Sequence, residues 1–199
     1  MWITAGRFRG AGEINCDGGQ NNNVTAGGGG RISIVLREPG ATFEGCNVNM
    51  HAFGGWCGKG NDGLRSGAAG TIYLQTGDEL DGHGVIRMVN HPNVNAITYT
   101  LLGYDGCDDL RNARLEIGRN VRVGVLTQST GGAPLKIADF TLADSTAKLD
   151  LCGNVLKVGA KWHAYPTSQV TAAGTLNEGK KPNWSNIRWK ASGIALIVR

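Results

Sequence analysis

The run Ala26-Gly27-Gly28-Gly29-Gly30 leads directly into Arg31-Ile32-Ser33-Ile34-Val35. A degraded copy, Ser66-Gly67-Ala68-Ala69-Gly70, leads into Thr71-Ile72-Tyr73-Leu74 about 40 residues later. Small residues feeding a β-branched stretch, twice at a regular interval, constrain the chain to a fold made by stacking similar units. One such unit cannot bury its own apolar face and has to lie on its neighbour. The flanks repeat as well. Phe8-Arg9-Gly10-Ala11-Gly12-Glu13-Ile14 and Gly18-Gly19 precede the first run, and Phe43-Glu44-Gly45-Cys46-Asn47-Val48 and Gly54-Gly55 precede the second. A weaker third copy begins at Leu80-Asp81-Gly82-His83-Gly84-Val85-Ile86.

Eighteen of the 32 glycines lie in residues 1–70, so the glycine excess is local, and it lacks the Gly-X-Y period of collagen. In stacked strands glycine serves sharp corners through positive φ and lets neighbouring backbones approach closely. A phosphate-binding loop is excluded, because a strand former follows Gly27–Gly30 where a helix start is needed.

Strand signals dominate the rest. Ile32–Leu36, Thr71–Leu74, Val85–Val89, Ile97–Leu102, Ala113–Ile117, Val121–Leu126, Leu135–Ile137, Phe140–Leu142, Lys148–Leu151 and Val155–Val158 mostly alternate apolar and polar residues, with turn residues between them. No window carries a helical stripe. Long Gly- and Asn-rich loops fill residues 1–77, and shorter, more charged segments fill 78–199. With no Pro- or Ser-rich linker between them, the whole of 1–199 reads as one continuous β-solenoid domain.

The net charge of +4 is spread over scattered Lys and Arg, without the basic patch that nucleic acid requires. No stretch of ~20 apolar residues occurs, so no helical membrane span is expected. Met1–Phe8 lacks the pattern of a signal peptide and enters the repeat partway through. Ile3 corresponds to Ile32 and Ile72, and Phe8 to Phe43. That points to a processing product or a fragment boundary, and to copies that stack end to end. The five cysteines form no CxxC and read as small buried residues; Cys16 and Cys46, at similar repeat positions, are the best disulfide candidates.

The phrases Gly-x-Gly-x-Ile, Gly-Gly-Gly-Gly-Arg-Ile-x-Ile and Leu149-Asp150-Leu151-Cys152-Gly153-Asn154-Val155-Leu156-Lys157-Val158 resemble Gly-rich units of large secreted bacterial proteins, adhesin-like or autotransporter-like, with β-helical passengers. The resemblance implies an all-β, right-handed parallel β-helix in an extracellular or cell-surface setting. It implies partners that are further copies, a larger parent protein or a polysaccharide. It brings no catalytic motif.

The chemistry in the chain is sparse. Asp105, Asp108 and Asp109, beside Arg111, form the tightest acidic cluster and read either as a solvated turn or as a catalytic or calcium-binding corner. His51, His83, His91 and His163 have no HxH or HExxH spacing, and no Gly-x-Ser-x-Gly elbow is present. Trp56, Tyr73, Tyr99 and Tyr104 lie where sugar rings could stack, with Asn21–Asn23 and Asn61-Asp62-Gly63 as polar neighbours; Tyr73 and Tyr99 read equally as strand filler. The expected binding residues are therefore Trp56, Asn61, Asp62, Tyr104, Asp105, Asp108 and Asp109. The expected role is structural or adhesive, with carbohydrate as ligand. A polysaccharide lyase or glycoside hydrolase on the same scaffold is the alternative.

Overall fold

The computed structural model describes residues 1–21, 25–57, 66–94, 98–103, 109–126, 134–152, 154 and 156–159, and the backbone of 187–189. Among these residues the protein is all-β, without a helix, and none is long and apolar enough to cross a membrane. The strands are β1 (Trp2–Ala5), β2 (Ala11–Asn15), β3 (Arg31–Leu36), β4 (Asn47–His51), β5 (Thr71–Gln75), β6 (Val85–Met88) and β7 (Tyr99–Leu102), then β8 (Arg114–Ile117), β9 (Arg122–Val125), β10 (Leu135–Ile137), β11 (Asp139–Leu142), β12 (Lys148–Asp150), β13 (Leu156–Val158) and β14 (Ile187–Trp189).

Four mostly parallel sheets result. Their orders are β1-β3-β5-β6-β8-β11, β2-β4, β7-β9-β12 and β10-β13-β14. Within the first group, β1 to β5, the partners Trp2 and Ser33, Ala11 and Asn47, and Arg31 and Thr71 sit side by side. The Phe8 and Phe43 rings meet with centroids 6.5 Å apart, at equivalent places of successive units. A parallel neighbour needs a crossover of a dozen or more residues, and the long Gly- and Asn-rich segments supply it.

The expectation of one uninterrupted parallel stack requires a correction. β6 runs antiparallel to β5, pairing Ile72 with Arg87, Tyr73 with Ile86 and Leu74 with Val85. Residues 76–84, which include the Leu80–Gly84 opening of the expected third repeat, form the reversing turn instead. Two side chains of β5 organise that turn. The Tyr73 hydroxyl donates to Gln75 Oε1 at 2.7 Å and accepts from the Gly84 amide at 3.1 Å. Gln75, buried, also accepts from the Gly82 amide and donates to the Glu79 carbonyl.

The reversal moves the core to the other face of the sheet. Residues paired across a ladder share a face, and neighbours along a strand alternate. Ile34 and Leu74 pack in one cluster with Ile32, Leu36 and Ile72. Ile86, level with Tyr73, belongs to the second cluster with Met88, Leu115, Ile117 and Phe140. One row across the sheet is Trp2, Ser33, Tyr73, Ile86, Leu115, Phe140, and it passes from solvent into the second core. The adjacent row Ile3, Ile34, Leu74, Val85, Arg114, Asp139 passes from the first core out to charged residues.

The glycine runs form a backbone layer of their own. Gly55 N donates to Gly27 O, Gly67 N to Gly55 O, Gly29 N to Ala68 O and Gly70 N to Ala52 O, at 2.7 to 2.9 Å. A Cβ at Gly67 would fall inside 3.0 Å of the Gly27 carbonyl, and one at Gly29 inside 3.0 Å of Ala52 O. Close approach is therefore the reason for these glycines. Positive φ, the corner explanation, occurs at Gly10, Gly12, Gly40, Gly45, Gly82 and Gly103, outside the runs.

The Cys16–Cys46 disulfide is also corrected. Both thiols are free. The Cys16 amide donates to His51 O at one end of the β2–β4 ladder, while Cys46 precedes Asn47, which pairs with Ala11 at the other end. Six residues of strand separate those levels, roughly 20 Å. A disulfide requires Cα atoms within about 7 Å.

Candidate functional site

Because the core changes faces, the outer face of β1, β3 and β5 is left open and the second group of strands curls back beside it. A cleft of about 710 Å³ lies between them. Its floor carries Trp2, Arg31, Ser33, Thr71 and Tyr73, and its opposite wall carries Tyr99, Leu101, Asp109 and Leu110. Trp2 is 77% exposed and Leu101 50% exposed, so large apolar surface faces solvent on both sides. Two hydrogen bonds fix the wall to the glycine layer. Thr98 Oγ1 donates to Ser66 O and Thr100 Oγ1 to Ala69 O, each at 2.7 Å.

The wall is held rigid by one polar knot. The Tyr99 hydroxyl donates to Asp150 Oδ2 at 2.6 Å, and Arg122 donates to the same oxygen at 3.1 Å. The Arg122 guanidinium also lies 4.2 Å above the Tyr99 ring. Burial, helped by the Asp150 charge, pushes the Tyr99 hydroxyl up to about 12, so it remains a donor at any ordinary pH. Asp150 is itself desolvated, yet the Tyr99, Cys152 and Arg122 hydrogen bonds outweigh that and keep its carboxyl below the usual range.

Among the described residues, the carboxylates lining the cleft are committed to arginines. Arg37 Nη1 donates to Asp81 Oδ1 at 2.5 Å, and Arg111 Nε to Asp109 Oδ1 at 2.8 Å. These hydrogen bonds hold both carboxyls below their ordinary values. Arg31, in contrast, has no ion-pair partner among the described residues.

Of the binding residues expected from sequence, the structure brings Asp109 to the cleft. Trp56 is partly buried beside the Asn21–Cys57 bridge and does not line it. Asn61, Asp62, Tyr104, Asp105 and Asp108 lie outside the described residues. Tyr73 and Tyr99, legible as aromatics in strands, both reach the cleft. Trp2, Arg31 and Leu101 were not singled out, and only the strand alternation that places Arg31, Ser33 and Tyr73 on one face could have indicated them. No group of three His, Cys, Asp or Glu side chains among the described residues is placed to hold a metal.

A second side-chain cluster lies on β2 and β4. The His51 ring is 11% exposed and lies between Asp17, 2.9 Å from Nδ1, and Glu13, 3.1 Å from Nε2. Carboxylates only accept, so both ring nitrogens need protons and the arrangement favours imidazolium. Burial pulls the His51 pKa down, but hydrogen bonds and charge from Asp17, then Glu13, raise it overall. A raised folded-state pKa means that the stabilisation is complete below the unfolded value of 6.5 and is lost as pH rises through the folded value. The partly exposed carboxylates limit it to about 1 kcal/mol or less. The stability gap between the native chain and His51→Gln should therefore shrink between pH 6 and pH 9 in urea titrations; a constant gap would contradict the charged pairing.

No protein-family model, curated protein or solved structure matches this chain.

Proposed function

We propose that the chain is a β-helical binding module that holds a carbohydrate chain in the cleft beside β1, β3 and β5. The parallel ladders and recurring intervals support two β-helical stacks joined at the β5–β6 reversal. The observation that carries the functional reading is the lining of the cleft. Trp2, Tyr73 and Tyr99 bring aromatic rings to the lining, and Ser33, Thr71 and Arg31 bring hydrogen-bonding groups to the same floor. Saccharides combine apolar ring faces with radial hydroxyls and use both kinds of group. A volume of about 710 Å³ also falls in the range of ligand sites, ~300–1,000 Å³.

The carboxyls support binding over hydrolysis. A glycosidase keeps one of its two carboxyls protonated as general acid, whereas Asp81 and Asp109 are both held ionised by arginines. An adhesive role at the outside of a bacterial cell follows from the resemblance to adhesin-like repeats. Continuation into further copies, or into a parent protein, would use the outer ladders of β1 and β2.

Trp2→Ala is expected to weaken oligosaccharide binding about tenfold, the scale of one aromatic stacking contact of ~1 kcal/mol or slightly more. Trp56→Ala should leave it unchanged. Calorimetric titration of both variants against a panel of neutral and acidic oligosaccharides checks this. Loss of affinity in Trp56→Ala with none in Trp2→Ala would move the site away from the cleft.

A further inference from the structure

We infer that the cleft selects acidic sugars, and that Arg31 reads their carboxylate or sulfate; this rests on the carbohydrate reading above. Among the described residues, four charged ones line the cleft, namely Arg31, Arg37, Asp81 and Asp109. Asp81 is neutralised by Arg37 and Asp109 by Arg111. Arg31 has no ion pair among the described residues, so these residues leave the cleft one uncommitted positive charge.

Its position suits the task. Arg31 pairs in register with Thr71, and Ser33, two residues on along the same face, lies between Trp2 and Tyr73. A sugar ring stacked on Trp2 or Tyr73 thus places its exocyclic group toward the guanidinium and its ring hydroxyls toward Ser33 and Thr71. A guanidinium meets a planar carboxylate with two parallel hydrogen bonds and offers a hydroxymethyl group much less. Among the described residues, the opposite wall, with Tyr99 tied to Asp150 and Arg122, adds no free carboxylate to repel an anion.

The test compares oligouronates of several backbones with their methyl esters, which keep the ring and remove the charge. The acids are expected to bind about tenfold more tightly than the esters at low salt, as a charge-assisted pair in a partly exposed site allows. The advantage should diminish in 0.5 M salt, the salt level chosen to screen an exposed charge. Arg31→Ala should abolish that preference by lowering acid affinity much more than ester affinity, and Arg31→Lys should restore part of it. Esters that bind as tightly as acids, or an Arg31→Ala change that lowers both equally, would overturn the inference and leave the carbohydrate reading standing. If no saccharide in either form binds, the carbohydrate reading falls and the inference falls with it.

Discussion

Gly67→Ala is expected to destabilise the protein by about 3 kcal/mol or more, at the upper end of what overpacking costs. The added Cβ would meet the Gly27 carbonyl and the Gly28 amide, which are backbone atoms and cannot swing aside as a side chain can. Moving them would break the layer's own hydrogen bonds, including Gly55 to Gly27 and Gly67 to Gly55. For a chain of this size the unfolding midpoint should drop by on the order of 6–12 °C. Gly19→Ala provides the control. A Cβ there meets nothing within 4 Å and its φ is not in the left-handed region, so the change should lie within about 0.5 kcal/mol of native. Thermal melts of both variants separate a packed glycine layer from a merely flexible one, in which the two substitutions would cost the same.

Asn90→Ala should cost about 2–4 kcal/mol. Asn90 is buried and joins the two groups of strands. Its Oδ1 accepts from the Gly54 amide at 2.8 Å and from the His91 amide, and its Nδ2 donates to Gly67 O. Alanine leaves the buried Gly54 donor and Gly67 acceptor without that partner, at about 1–3 kcal/mol for each group. Asn90→Asp keeps the acceptor and loses the donor, so its loss in urea titrations at neutral pH should also expose a buried charge. A neutral effect of Asn90→Ala would mean that the two groups are not held together at this point.

Much of the local structure is legible in the residues. Ile32, Ile34 and Leu36 alternate with polar or less buried positions as a strand with one core face requires, and the strands of the second group follow the same rule. The register is partly legible too, since Phe8 and Phe43 do meet. The reversal at β5–β6 was masked by Gly82 and Gly84, which imitate the opening of a repeat. The decisive signal was length. Nine residues separate β5 from β6, too few for a parallel crossover and ample for an antiparallel turn. The cysteine pairing failed because the offset between β2 and β4 is 36 residues, which sets Cys16 opposite the region of His51 and not Cys46. The cleft could not be read at all without the reversal, because it is assembled from Trp2, Arg31, Tyr73, Tyr99 and Asp109, residues on both sides of it. The His51 cluster likewise joins strands that no local spacing connects.

The most direct test of the account is backbone amide shift mapping on addition of an acidic oligosaccharide. The reversed fold predicts simultaneous perturbation of Trp2, Ser33, Thr71 and Tyr73 together with Leu101 and Asp109, two sets brought to one cleft only if β6 runs against β5 and the core changes faces. Perturbation confined to Asn47–His51 or to Trp56, with the cleft residues unmoved, would contradict it.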